Sequence, residues 1–128
     1  MPRGKPKPLT KAELRIMQVL WAKRRATVAD VVSALPPPPL AYTTVLTMLR
    51  ILEQKKAVGR KAEGRAHVYF PCIEHDDAVT SAVGDVLRSF FSGSKTALAV
   101  RLMAEERPSP EDLASIKALI AGYEEDRK

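Results

Sequence analysis

The sequence predicts a mainly α-helical protein with one small β-hairpin, built as an N-terminal winged helix-turn-helix followed by a C-terminal helical dimerisation domain. Three observations carry this expectation. Residues 9–56 hold three stretches with apolar residues at three- and four-residue spacing, the second ended by four consecutive prolines. Residues 57–71 change to alternation around a Glu-Gly pair. Residues 74–123 return to helical spacing, in segments that total only about 50 residues, too few to bury a good core alone.

The first eight residues, MPRGKPKP, read as a basic tail expected to be flexible, and with no apolar run behind them they do not read as a signal peptide. A helix opens at "LTKAEL". Thr10 caps it, Glu13 sits where a capping box needs it, and Leu9 with Leu14 fits a hydrophobic staple. Leu14, Met17, Leu20 and Trp21 are its expected buried face, and "AKRR" ends it with charge that suits the C-terminal dipole. In "ATVADVVSALPPPP", Thr27 caps a shorter helix that turns Val28, Val31, Val32 and Leu35 to the core. Prolines 36–39 stop it, because they lack amide donors and impose extended geometry on the residue before them.

The third helix, "AYTTVLTMLRILEQKK", has two faces. Val45, Met48, Leu49 and Leu52 form an apolar stripe, while Thr43, Thr47, Arg50 and Gln54 line up on a polar one. A short helix, a stiff break and this helix make a helix-turn-helix with an elongated turn. Val58, Arg60 and Ala62, then Ala66, Val68 and Phe70, alternate about a turn expected at Glu63-Gly64. Arg60, Lys61 and Arg65 cluster near that tip and Pro71 closes the hairpin, so residues 9–71 read as a winged-helix domain.

Residues 72–128 read as the dimerisation domain. Val79, Val83, Val86, Leu87 and Phe90 make one stripe, "FSGS" breaks it, and Leu98, Leu102 and Met103 make a second. In the last helix Ser109 is the cap, Pro110 takes the first position and Asp112 lies in the first turn, with Leu113, Ile116, Leu119, Ile120 and Tyr123 as its apolar face. A second copy of the chain is the expected cover for these stripes.

Charge separates the two parts. The net charge of the 128 residues is +6, but residues 1–70 carry +10 and residues 71–128 carry −4. A polyanion would therefore meet the first part. Cys72 is the single cysteine, which excludes an internal disulfide and points to a reducing cytoplasm. No apolar run approaches the ~20 residues that span a bilayer, so direct membrane binding is not expected.

A helix behind a helix-turn break normally enters the major groove of duplex DNA. Thr43, Thr44 and Thr47 offer hydroxyls to bases or phosphates and methyls to thymine, and Arg50 can reach guanine or a phosphate. Tyr42 fits either contact with the DNA backbone or packing on the second helix. Arg60, Lys61 and Arg65 would clamp phosphates, and Lys5 and Lys7 could add to them. The bland alternatives are a solvated helix face and an ordinary charged hairpin tip. A different function would be a protein-interaction adaptor, which would more often show large apolar groups on the third helix's stripe.

Catalysis finds no support, and no metal or cofactor is expected. His67 and His75 lie in no metal-ligand spacing with cysteine. Consecutive residues of "EHDD" diverge around a helix and read as an acidic first turn. Cys72 reads as a small hinge residue, and no glycine-rich phosphate loop is present.

The runs "LTKAELRIMQVLW", "TVADVV" and "AYTTVLTMLRILEQKKAVGRKAEGRAHVYFP" resemble the BlaI/MecI penicillinase-repressor family over roughly residues 9–123. The resemblance implies a winged-helix repressor, dimeric through C-terminal helices, on palindromic operators with TACA/TGTA half-sites, of β-lactam resistance or related genes. Thr43, Thr44 and Thr47 match the family's recognition-helix positions, and Arg60 and Arg65 fall in its wing. The family's copper-responsive branch carries paired cysteines near the C-terminus, which this chain lacks. In the β-lactam branch a membrane sensor protease triggers cleavage between an Asn and a Phe. The matching position here is Arg101-Leu102, which departs from that pair.

Overall fold

A computed structural model describes residues 8–127. The expectations for Lys5 and Lys7 lie outside these residues. Along the chain run α1 (Lys11–Lys23), α2 (Val28–Ala34), α3 (Tyr42–Gln54), β1 (Val58–Glu63), β2 (Ala66–Pro71), α4 (His75–Phe91), α5 (Lys95–Glu105) and α6 (Pro110–Asp126). The chain divides into two compact units between Gly84 and Asp85, inside α4.

In the first unit, local chemistry starts α1 and α2 where the sequence places them. The Thr10 hydroxyl accepts from the Glu13 N–H at 3.1 Å, and the Glu13 carboxylate accepts from the Thr10 N–H at 2.8 Å. Thr27 and Asp30 repeat the reciprocal pair at the start of α2. The core joins Ile16, Met17 and Leu20 of α1, Val31 of α2, Val45, Leu49 and Leu52 of α3, and Tyr69 of β2.

The buried face of α1 differs from expectation. Leu14 is exposed, while Ile16 and Val19 are buried. The inward stripe of α1 begins at Glu13, which is only 3% exposed. A carboxylate at a core position hides the true register, and it is tolerated there because its Oε1 accepts from both the Thr10 N–H and the Lys55 ammonium, 2.7 Å away. Trp21 is half-buried, and its Nε1–H donates to the Ile73 carbonyl at 2.9 Å.

The hairpin pairs Val58 with Pro71 through Glu63 with Ala66, so Gly64-Arg65 forms a two-residue turn. The expected turn at Glu63-Gly64 is thus displaced by one residue. Gly64 supplies the positive φ of +62° that such a turn requires. The alternation in β2 is also corrected, because Tyr69 is 1% exposed while Phe70 is exposed. Ala26 and Tyr69 exchange main-chain hydrogen bonds of 3.0 and 2.8 Å, which adds the α1–α2 connection as a short third edge and fixes Tyr69 inward. Phe70 lies on the other face, against Gly59; a Cβ at Gly59 would fall 2.6 Å from the Phe70 ring.

The second unit comprises the end of α4 with α5 and α6. Ser92 and Gly93 take positive φ values, and the Gly93 N–H donates to the Leu87 carbonyl at 3.0 Å, ending α4. Ser94 and Ser109 cap α5 and α6, with Pro110 opening the latter. None of the residues of α4, α5 or α6 is fully buried. No described helix is long and apolar enough to cross a membrane.

Candidate nucleic-acid interface

Helix α3 is held by its apolar stripe, so its opposite side is free to meet a partner. Thr43, Thr44, Thr47, Arg50 and Gln54 are all exposed on it. Tyr42, at the first turn, remains 53% exposed rather than packed away. Ala41 is the N-cap and provides no side-chain acceptor, which leaves the first-turn amides open to an anion. The Thr47 hydroxyl donates to the Thr43 carbonyl at 2.9 Å. Its proton is thereby occupied, and what it offers outward is an oxygen lone pair and a methyl group. That pairing suits a base amino group or a thymine methyl in the major groove.

The basic hairpin tip separates into two parts. Arg60 stands opposite Tyr69 in the ladder, and its Nε lies 3.3 Å from a Glu53 carboxylate oxygen at the end of α3. Part of its charge is therefore directed at its own protein. Lys61 stands opposite Val68, on the other face, and Arg65 occupies the turn itself. Both are exposed. Glu63, beside the turn, is paired with Arg25. Arg25 was not singled out by the sequence reading; it belongs to this neighbourhood because Ala26, the next residue, bridges to the hairpin.

Cys72 is exposed, and partial desolvation of its thiol raises its pKa above the ordinary value. Its N–H donates to the Ala57 carbonyl at 2.8 Å, which anchors the chain leaving the hairpin. Among the described residues no cluster of His, Cys, Asp or Glu is arranged to hold a metal ion. His75 contacts Trp21 edge to face, with ring centroids 5.0 Å apart.

The residues expected to join two copies are largely open to solvent. Phe90 is 79% exposed, and Val83, Leu102, Leu113, Leu119 and Ile120 are exposed as well, while Leu87, Leu98 and Ile116 are half-buried. Leu102 and Ile116 line one cleft of about 550 Å³ with Met103, Arg107 and Asp112. The Arg101-Leu102 bond lies inside α5, where the Arg101 guanidinium pairs with Glu105 at 3.2 Å.

Comparison with known proteins places this geometry in a family. The penicillinase repressor family matches residues 9–122. The chain is 24% identical over 121 residues to the penicillinase repressor of Bacillus licheniformis, covering 94% of each chain. It is 33% identical over 115 residues to the transcriptional regulator BlaI of Mycobacterium tuberculosis, covering 88% of this chain and 82% of that one. The solution structure of the DNA binding domain of the repressor BlaI is similar with a TM-score of 0.51 at 31% identity, over 59% of this chain and 93% of that one. The chain belongs to the penicillinase repressor family of DNA-binding transcriptional repressors.

Proposed function

We propose that this protein represses transcription as a homodimer on palindromic operators, with α3 in the major groove and the hairpin on flanking phosphates. The observation that carries this reading is the exposed stripe of Thr43, Thr44, Thr47 and Arg50 on a helix anchored by Val45, Leu49 and Leu52. Short hydroxyls and one guanidinium suit base edges, whereas Lys61 and Arg65 suit phosphates. The open apolar residues of α5 and α6 support a second copy as their cover, because a short helical unit does not complete a core alone. Two linked half-site readers bind far more tightly than one.

Relief by proteolysis at Arg101-Leu102 would require α5 to open locally first. A helix without fully buried residues is suited to that, since its opening disrupts little packing. Such a cut separates α6 from the DNA-binding half and leaves every proposed DNA contact intact. A membrane sensor protease, or a protease acting downstream of it, is the proposed agent.

The direct test is a binding titration on a duplex carrying a TACA/TGTA palindrome and on a scrambled duplex, repeated over several salt concentrations. With three to five phosphate contacts per subunit, counterion release gives a log–log slope of roughly −5 to −9. Equal affinity for the two duplexes at every salt concentration, or no salt response, would overturn the proposal.

A further inference from the structure

The turn between α2 and α3 cannot hold itself together. Residues 36–39 are four prolines, which present carbonyl groups and no N–H donors. The Leu35 N–H donates to Val31, and the next main-chain bond is from the Val45 N–H to the Ala41 carbonyl. Between these, no main-chain hydrogen bond among the described residues involves residues 36–40. Helix α3 also begins without a side-chain cap. Yet this turn decides where Tyr42, Thr43, Thr44 and Thr47 stand.

One side chain supplies what the turn lacks. Arg15 projects from α1, and its Nη2 donates to the Pro36 carbonyl at 2.6 Å and to the Pro38 carbonyl at 2.5 Å. Both are charge-assisted bonds, and they join the turn to the helix that packs against both α2 and α3. We propose that Arg15 is a positioning residue for sequence discrimination: it braces the proline turn so that the first turn of α3 meets base edges in register. It acts through α3 rather than on DNA. The inference rests on the DNA-reading role proposed above, because a brace on α3 has consequences for specificity only if α3 reads bases.

The two roles open to an arginine here predict different outcomes. A phosphate contact would be retained by Arg15→Lys. Arg15→Met would then weaken binding to every duplex and flatten the salt slope by about one unit. A brace depends on one terminal nitrogen, Nη2, reaching both carbonyls at once, and the shorter lysine side chain does not carry its ammonium to the same point. The experiment therefore measures the full-length protein, Arg15→Lys and Arg15→Met on the palindromic and scrambled duplexes at several salt concentrations. The brace predicts a loss of about tenfold in palindrome affinity for Arg15→Met and a smaller loss for Arg15→Lys. Scrambled-duplex affinity should change less than about twofold, with its salt slope unaltered.

A second measurement separates positioning from general destabilisation. Amide NMR shifts in Arg15→Met should concentrate at residues 40–47, which follow the prolines, and in a Thr47→Ala background the cost of Arg15→Met on the palindrome should shrink. Partial unfolding would instead lower affinity for both duplexes alike and would add fully to Thr47→Ala. An unchanged palindrome-to-scrambled ratio in Arg15→Met, or a parallel loss on both duplexes, would overturn the brace alone. A wild-type protein without palindrome preference would overturn the DNA-reading role and the brace with it.

Discussion

Removing the Glu13 carboxylate should destabilise the first unit more than any exposed ion pair in the protein. The side chain is 4% exposed and makes two kinds of contact at once. It completes the capping box with Thr10, worth about 1 kcal/mol. It also accepts from the Lys55 ammonium at 2.7 Å, itself only 24% exposed, and a charged hydrogen bond of this kind contributes about 1.5–3 kcal/mol. Glu13→Ala therefore costs about 3 kcal/mol. For a cooperative unit of this size that is a fall of roughly 10–25 °C in Tm.

The assay for this change is built in, since Trp21 is the only tryptophan and lies in α1 against Ile73. Its fluorescence during urea or thermal unfolding reports on this unit. The pH response carries a second signature. Burial raises the Glu13 pKa, but the Lys55 hydrogen bond, the Thr10 bonds and the Lys55 charge together outweigh it and hold it below the ordinary 4.5. A folded-state pKa that is depressed gives stability that is full above the unfolded value near 4.5 and is lost as pH falls through the lower folded value. Wild type should thus approach Glu13→Gln in stability in acid and exceed it near neutrality. A Glu13→Ala loss below about 0.5 kcal/mol, or strict additivity with Lys55→Ala, would refute the account of a coupled cap and ion pair.

Two other outcomes follow from the proposed interface. Thr47→Ala or Arg50→Ala should weaken palindrome binding by about 1–3 kcal/mol with little change on a scrambled duplex, while Arg65→Ala should weaken both to a similar degree. Parallel titrations check this, and loss of discrimination from Arg65→Ala alone would reverse the division between helix and hairpin. A chain ending at Arg101 should keep its Trp21-monitored unfolding transition, sediment as a monomer and bind the palindrome about 100-fold more weakly. A fragment that remains dimeric with full affinity would remove α6 from the proposed switch.

What the sequence made legible was mostly local. The Thr10, Thr27 and Ser109 caps stand within three residues of their partners, so a linear reading finds them. The two faces of α3 were equally plain, because helical spacing alone separates Thr43, Thr47 and Arg50 from Val45, Leu49 and Leu52. The misses came from contacts distant in sequence. Tyr69 turns inward because Ala26, 43 positions earlier, pairs with it, and period-two alternation carries no trace of that partner. Glu13 concealed the register of α1 because its justification, Lys55, lies 42 positions later at the C-cap of α3. Arg60 looked like a free wing cation until Glu53 came beside it. Arg15 carried no signal at all, since its acceptors are main-chain carbonyls that every residue possesses.

The run of four prolines ahead of α3 has a consequence outside the folded state. Each pyrrolidine ring restricts φ in the denatured chain almost as tightly as in the native one, and each proline also narrows the choices of the residue before it. Ordering residues 35–39 on folding therefore forfeits less backbone freedom than ordering an equal length of glycine or serine would. A flexible replacement of the same length would make folding less favourable even where every native contact of α3 re-formed. The stiffness that leaves this segment without donors of its own also means that it reaches the folding transition already half arranged.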